Sequence, residues 1–302
     1  DNIEIKNCIL DLPTFVPVVT SNNYTGIYKA SGGVISNIRI LNNVIRGGAF
    51  GVSVYGASST VRNTDVLFQG NTMYDIDYYG IQAYYTNFVG IKNNTIKQRT
   101  GSNITPALFI AIYMNYSDAE VVANKIDAAN MNNLITFYYN KGLIANNQII
   151  GYATGAYAGI YLGSNTTANI YHNSLYITGN GFGRGIYLTN NSLVFTDIKN
   201  NNICMMTNVA DHGVYLGGVN YLNTNWTFDY NNYYSLNGNI GYASGNQLTL
   251  ANWQNATKKD TNSTNLFPRY LNVNQSLILM DSILFSCPSI ASVSRDINDS
   301  IR

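Results

Sequence analysis

Asn147-Gln148-Ile149, Gly159-Ile160-Tyr161, Asn173-Ser174-Leu175, Gly185-Ile186-Tyr187, Asn201-Asn202-Ile203 and Gly213-Val214-Tyr215 follow one another between residues 147 and 215, and they decide the fold. Two marks alternate. One is Asn, any residue, then an apolar residue. The other is Gly, a β-branched residue, then Tyr. Working outward, the first mark recurs at Asn7-Cys8-Ile9, Asn43-Val44-Ile45, Asn71-Thr72-Met73, Asn94-Thr95-Ile96, Asn124-Lys125-Ile126 and Asn232-Tyr233-Tyr234. The second runs in phase through Gly26-Ile27-Tyr28, Gly51-Val52-Ser53, Gly80-Ile81-Gln82, Phe109-Ile110-Ala111 and Leu134-Ile135-Thr136. Two independent marks sharing a period near 26 residues define an internal repeat.

Each period holds short alternating runs such as Val66-Leu67-Phe68-Gln69 and Ile81-Gln82-Ala83-Tyr84. Alternation with β-branched and aromatic residues means strands. That excludes helical solenoids. The L-x-x-L-x-L frame of leucine-rich repeats is absent, and a propeller blade needs about 40 residues. A parallel β-helix fits: one coil per period, each strand pairing with its equivalent in the next coil, and a continuous apolar interior. The expected fold is therefore all-β, a solenoid of about nine coils. The repeated Asn has two reasons to recur. It tolerates the left-handed backbone region at a bend. Stacked at about 4.8 Å, its amides can also hydrogen-bond along the axis. Double Asn at 42-43, 93-94, 146-147, 200-201 and 231-232 suits a two-residue bend.

Composition narrows the function. The chain has 302 residues, of which only 11% are charged, with Lys plus Arg 17 against Asp plus Glu 16. A net charge of +1 argues against a nucleic-acid binder and a polybasic membrane anchor. Mean hydropathy is -0.07 and no apolar run is long enough for a membrane span. With 25 Tyr and 11 Phe the chain is not disordered. Cys8, Cys204 and Cys287 have no metal-ligand spacing and cannot all pair with one another. Asp1-Asn2-Ile3-Glu4-Ile5 already reads as strand, so the chain is expected to be part of a longer protein.

Residues 1-235 carry the period, and 236-302 break it. The second segment is expected to be a small C-terminal cap within the same domain, covering the last coil. Thr249 is placed to cap a short helix running through Trp253 to Thr257. Residues 1 to about 235 resemble the right-handed parallel β-helix superfamily that includes pectate lyases, polygalacturonases and phage tailspikes. The stretch from Leu248 through Trp253, Asn265-Leu266-Phe267-Pro268, Cys287-Pro288-Ser289-Ile290-Ala291 and Arg295-Asp296-Ile297-Asn298 resembles the tails of exported bacterial β-helix proteins. The resemblance implies a right-handed coil and an extracellular or cell-surface location. It carries over no catalytic residue.

A packed coil leaves chemistry to the outer faces and loops, the longer of which fall at 10-25, 97-108, 205-212 and 220-226. Polygalacturonase-like enzymes combine Asn-Thr-Asp, paired Asp and Gly-His-Gly. Asn63-Thr64-Asp65 matches the first piece and Asp211-His212-Gly213 loosely echoes the last, but more than five coils separate them. His172 sits in the bend slot before Asn173 and reads as a turn residue on the surface. The densest charge cluster follows three successive bends: Asp75 and Asp77, then Lys97 and Arg99, then Asp127. Lyases of this fold class use Lys or Arg as base, with Ca²⁺ or a basic group neutralising a uronate, so Asp75, Asp77, Lys97 and Arg99 are candidate catalytic residues, with Ca²⁺ as the one conceivable cofactor. The simpler account is a set of surface ion pairs.

Aligning the second mark places Tyr55, Tyr84, Tyr113 and Tyr138 at one outward position, with Tyr161, Tyr187 and Tyr215 at a neighbouring one. Stacked phenols form an amphipathic strip on which sugar rings can lie; they also stabilise a sheet by cross-strand packing. These four tyrosines are the candidate substrate-binding residues. The expected function is an exported or cell-surface module facing a polysaccharide or surface glycan in binding, adhesion or scaffolding. The alternative is a polysaccharide lyase or glycoside hydrolase.

Overall fold

In the computed structural model, the described residues are 2–13, 24–100, 109–189, 196–218, 222, 225–274, 276–280, 287–298 and 300. They form a parallel β-solenoid with three long sheets. Sheet 1 stacks nine strands, from Ile3–Lys6 to Trp226–Asp229. Sheet 2 stacks nine, from Ile9–Asp11 to Asn232–Ser235. Sheet 3 stacks Thr25–Lys29 through Gly241–Ala243 in parallel and is closed by an antiparallel strand, Asn246–Gln247. About seven turns have a neighbour on both sides, against the nine coils expected; the first and last turns have a neighbour on one side only. The loops expected at 10-25, 97-108 and 220-226 fall largely outside the described residues. The one expected at 205-212 is shorter, because strand Asn202–Thr207 runs to Thr207.

The interior follows from register. In sheet 1, Ile40, Phe68, Ile91, Val121, Ile144 and Ile170 lie one above another. Ile45, Met73, Ile96, Ile126 and Ile149 do so in sheet 2. All are essentially inaccessible to water. The glycine of the second mark is a close-approach residue. At Gly185 a Cβ would lie 2.4 Å from Ile203 Cγ2 and 2.5 Å from the Gly213 carbonyl oxygen. The corner between sheets 2 and 3 is too tight for a side chain there.

The asparagines form a column at the corner between sheets 1 and 2. Asn43, Asn71, Asn94, Asn124, Asn147, Asn173, Asn201 and Asn231 are buried. Each of the first seven donates from Nδ2 to the Oδ1 of the next at 2.9–3.0 Å. That Oδ1 also accepts the backbone N–H of the rung before it, as from Asn94 to Asn124 at 3.0 Å. The bend is made one residue earlier than expected. Asn42, Asn93, Asn146 and Asn200 have φ of 54–60°, with Gly70, Ala123, His172 and Tyr230 in the same slot. In the doublets the first Asn turns the chain and the second hydrogen-bonds. The mark is also one residue out of register at both ends. Ile9 pairs with Val44, so Cys8 stands opposite Asn43 and Asn7 is a bend residue. Asn232 pairs with Asn202, so Asn231 is the final asparagine rung.

The last turn is closed by one short helix, Leu250–Thr257. Thr249 caps it, its Oγ1 accepting the Asn252 N–H at 3.1 Å, and Lys258 ends it in the left-handed region. Trp253 is completely buried. Its indole lies where a side chain on Gly241 would sit, 2.5 Å from that residue's ideal Cβ position. Its Nε1 donates to Asp260 Oδ2 at 2.7 Å, and Tyr233 Oη donates to Asp260 Oδ1 at 3.0 Å. Asp260 Oδ1 also accepts from Asn231 Nδ2 at 3.1 Å, so the asparagine ladder terminates on a buried carboxylate.

Beyond Thr264 the chain leaves the stack and doubles back. Phe267 packs on Tyr234, Tyr270 on Tyr176, and Leu277 N–H donates to Gln148 Oε1 at 3.3 Å. A hairpin of Tyr270–Asn272 and Ser276–Leu279 thereby covers the outer face of sheet 2 over its last four turns. Pro288 O then accepts from Asn200 Nδ2 at 2.8 Å, and Val293 packs against Ala145 and Tyr171 on sheet 1. This strap covers outward Ile150, Tyr176, Cys204 and Tyr234, which explains why those positions are uncharged while Asp127, one turn earlier in the same column, is charged.

Candidate functional site

The charge cluster divides into two pairs. Arg99 Nε lies 3.2 Å from Asp77 Oδ1, and Asp77 is 1% exposed. Lys97 Nζ lies 3.1 Å from Asp127 Oδ2, both well exposed. A bulge causes the split. Asp75 takes φ 58°, and the register shifts between Ile96 and Gln98, so Ile76 rather than Asp75 faces Gln98. Asp77 is thus turned inward while Lys97 stays on the outer face. Asp75 serves through its backbone oxygen, which accepts from Arg99 Nη2 at 3.1 Å. The four candidates are neighbours in space, but the Asp77 carboxylate, whose proton affinity burial raises, is sealed from solvent. Among the described residues no group of three or more His, Cys, Asp or Glu side chains converges as a metal site.

Burial pushes the Asp77 carboxyl up to about 6, with Arg99 opposing that rise. Its folded pKa is above the unfolded value, so its stabilising effect is full below about pH 4 and is lost as pH rises through about 6. By pH 7 the ionised group costs about 3 kcal/mol. Asp77→Asn is expected to remove this slope. The melting temperature of the variant minus that of the wild type should rise between pH 4 and pH 7. Parallel pH profiles would overturn the assignment.

The two hydrolase-like fragments do not meet. Asp65 lies on sheet 1, bound to Arg39 at 2.7 Å. Asp211 is buried beside sheet 3, where Thr207 Oγ1 donates to it at 2.9 Å. His172 does occupy the bend slot, with φ 55°, but it is buried beneath the strap rather than on the surface.

The outer face of sheet 3 carries the longest aromatic row. Tyr28, Tyr55, Tyr84, Tyr113, Tyr138, Tyr161, Tyr187, Tyr215 and Tyr242 follow one another with ring centroids 4.5–6.2 Å apart. The row is a zigzag across two register positions. Tyr55, Tyr84 and Tyr138 share one position, where Asn115 stands between Tyr84 and Tyr138. Tyr113 belongs two residues earlier, in line with Gln82, Thr136 and Tyr161. Tyr161, Tyr187 and Tyr215 are in line, as the sequence indicates. All but Tyr28 are half-buried. Tyr55 Oη donates to Gln82 Oε1 at 2.8 Å and Asn115 Nδ2 to Tyr113 Oη at 3.1 Å. Burial raises the Tyr84 and Tyr161 phenols well above the usual range. Arg184 is held between the Tyr187 and Tyr215 rings, 4.4 and 4.2 Å from their centroids, and places a cation at the far end.

A second aromatic row is not evident in the repeat. Where sheet 3 turns into sheet 1, Tyr85, Tyr116 and Tyr139 occupy successive turns with φ of 53°, 49° and 56°. The following residues, Thr86, Ser117 and Asn140, form a short polar ladder: Thr86 N–H donates to Ser117 Oγ and Ser117 N–H to Asn140 Oδ1. The three rings stack outside it. Tyr116 and Tyr139 are 4.4 Å apart and within 1° of parallel, and Tyr85 is 5.8 Å from Tyr116. The left-handed region costs a residue with a Cβ about 1–2 kcal/mol, whereas each stacked pair gives about 0.5–1.5 kcal/mol. Stacking alone does not offset three strained tyrosines. The next turn places Asn165 in the slot, with φ 51°. The signal available in sequence was a tyrosine directly before a Thr, Ser or Asn once per turn.

No family model, curated protein or solved structure matches this chain, so its family is not fixed by likeness and the geometry of its faces carries the functional argument.

Proposed function

We propose that this chain is a non-catalytic, exported or cell-surface module that holds a polysaccharide along the tyrosine face of sheet 3. The observation that carries the proposal is the unbroken row of nine tyrosines, from Tyr28 to Tyr242, half-buried except for Tyr28 and repeated once per turn. A sugar presents apolar C–H faces to such rings and hydroxyls to the phenol and amide edges. The solenoid supplies the rigidity: its strands lock each ring's position, so little conformational freedom is lost on binding. The kinship we favour is with the pectate-lyase-like parallel β-helices, on the strength of the fold and the tail motifs.

Polysaccharide lyase or hydrolase chemistry is the second reading, resting on the raised Asp77 beside Arg99. It is the weaker one, because Asp77 is inaccessible and Lys97 is engaged by Asp127.

A glycan array followed by calorimetric titration tests the proposal. Binding is expected in the micromolar to millimolar range, with Tyr161→Ala and Tyr187→Ala each weakening it about tenfold, which is about 1.4 kcal/mol. A blank array at millimolar sugar, or ultraviolet-absorbing unsaturated products from acidic polysaccharide, would overturn it.

A further inference from the structure

The corner row of Tyr85, Tyr116 and Tyr139 is the feature that the fold does not explain. The backbone at this slot needs only a residue that tolerates the left-handed region, and Asn165 fills it one turn later. Three consecutive turns nevertheless carry a bulky residue ill suited to it. Strain of this kind persists where a side chain must point in a particular direction. Here it turns three phenol rings out of the corner beside the sheet 3 row. Tyr84 and Tyr85, adjacent in the chain, have ring centroids 6.2 Å apart with planes inclined by 57°. Two aromatic rows therefore meet at an angle along turns three to five.

We propose that this angled rim is the part of the tyrosine face that selects the glycan, and that it selects an uncharged one. The inference rests on the glycan-binding reading above and adds a place and a ligand class to it. The charge pattern supports the class. The outward side chains of sheet 3 here are phenols, the amides of Gln82 and Asn115 and the hydroxyl of Thr136. Of the described charges at the corner, Arg62 and Asp118 are 3.5 Å apart and neutralise each other, and Lys141 stands beside them, its backbone N–H donating to Asp118 Oδ1. A uronate polymer, charged at every sugar, would find Lys141 beside Asp118 at the edge of this rim and no row of cations along it, since Arg184 lies turns away, enclosed by Tyr187 and Tyr215. A neutral sugar needs only ring faces and hydrogen-bonding edges, and the rim supplies both. A sugar lodged in the angle touches one row with its C–H face and the other with its rim of hydroxyls.

The test is Tyr116→Asn, which installs the residue already used at position 165. Tyr230→Asn serves as control, because Tyr230 has φ 55° at the opposite corner of the coil. Wild type and both variants are titrated with cellohexaose, xylohexaose, mannohexaose and hexagalacturonate, and their melting temperatures are recorded. The wild type is expected to bind a neutral hexasaccharide more tightly than hexagalacturonate. Tyr116→Asn should weaken that binding at least tenfold while its melting temperature stays level or rises. Tyr230→Asn should show the same thermal behaviour with affinity unchanged. If Tyr116→Asn binds as the wild type does while Tyr161→Ala does not, the corner inference fails and the strip stands. If Tyr116→Asn melts several degrees lower with affinity intact, the corner is structural and the inference fails. Preference for hexagalacturonate overturns the ligand class. No binding by the wild type to any of the four overturns the inference, and a blank glycan array overturns the underlying reading with it.

Discussion

Asn124→Asp is expected to destabilise the solenoid by about 3–5 kcal/mol. The substitution keeps the shape of the side chain, so no cavity term enters. Its two acceptor contacts survive, because Asn94 N–H and Asn94 Nδ2 can still donate to a carboxylate oxygen. Its three donor contacts do not. Asn124 Nδ2 donates to Asn147 Oδ1 at 3.0 Å, to Ile91 O at 2.8 Å and to Val122 O at 3.2 Å. An oxygen there faces three oxygens, in a fully buried site, with a charge that no cation offsets. Urea unfolding followed by far-ultraviolet circular dichroism measures the loss. A change below about 1 kcal/mol would mean that the ladder is a passenger on sheet pairing rather than a cause of it.

Trp253→Ala is expected to cost about 3–5 kcal/mol, the usual range for a buried Trp truncated in a core. Two effects add. The indole fills the space above Gly241 and packs on Tyr233, so its loss opens the last turn. Asp260 also loses a donor while remaining completely buried. Burial already raises the pKa of Asp260 despite the hydrogen bonds that it accepts. Trp253→Phe separates the effects: it keeps most of the packing and should cost about 1–2 kcal/mol. The same unfolding measurement applies. If the Ala and Phe variants are equally stable, the indole is not what closes the stack.

The period was legible because each column is forced by a constraint that recurs once per turn. Asn is needed for the amide ladder, Gly for the tight corner at Gly185 and its equivalents, and Ile or Val for the interior. Thr249 and Trp253 were legible for a local reason, as a cap residue and a large apolar residue within a short helical run. Register at the ends was not. Asn231-Asn232 offers two equivalent residues, and only hydrogen bonding chooses between them. Tyr113 was misplaced because it and Asn115 stand on the same face two residues apart, so alternation cannot separate them. The split between Lys97 and Asp77 depends on one bulge at Asp75, which has no periodic signature. Tyr85, Tyr116 and Tyr139 were missed because backbone preference argues against tyrosine where they stand. The strap is aperiodic and pairs with no neighbour in sequence, so its path is not written in the repeat.

That returning strap changes how the molecule can come apart. In a stack whose layers touch only their neighbours, loss of order frays inward from a tip, one layer at a time. The contacts of Tyr270 with Tyr176, Leu277 with Gln148, and Val293 with Ala145 belt the last four layers together from outside. Those layers must let go as one block, and the natural breakpoint moves away from the tip to the seam near Asn146, where the belt ends.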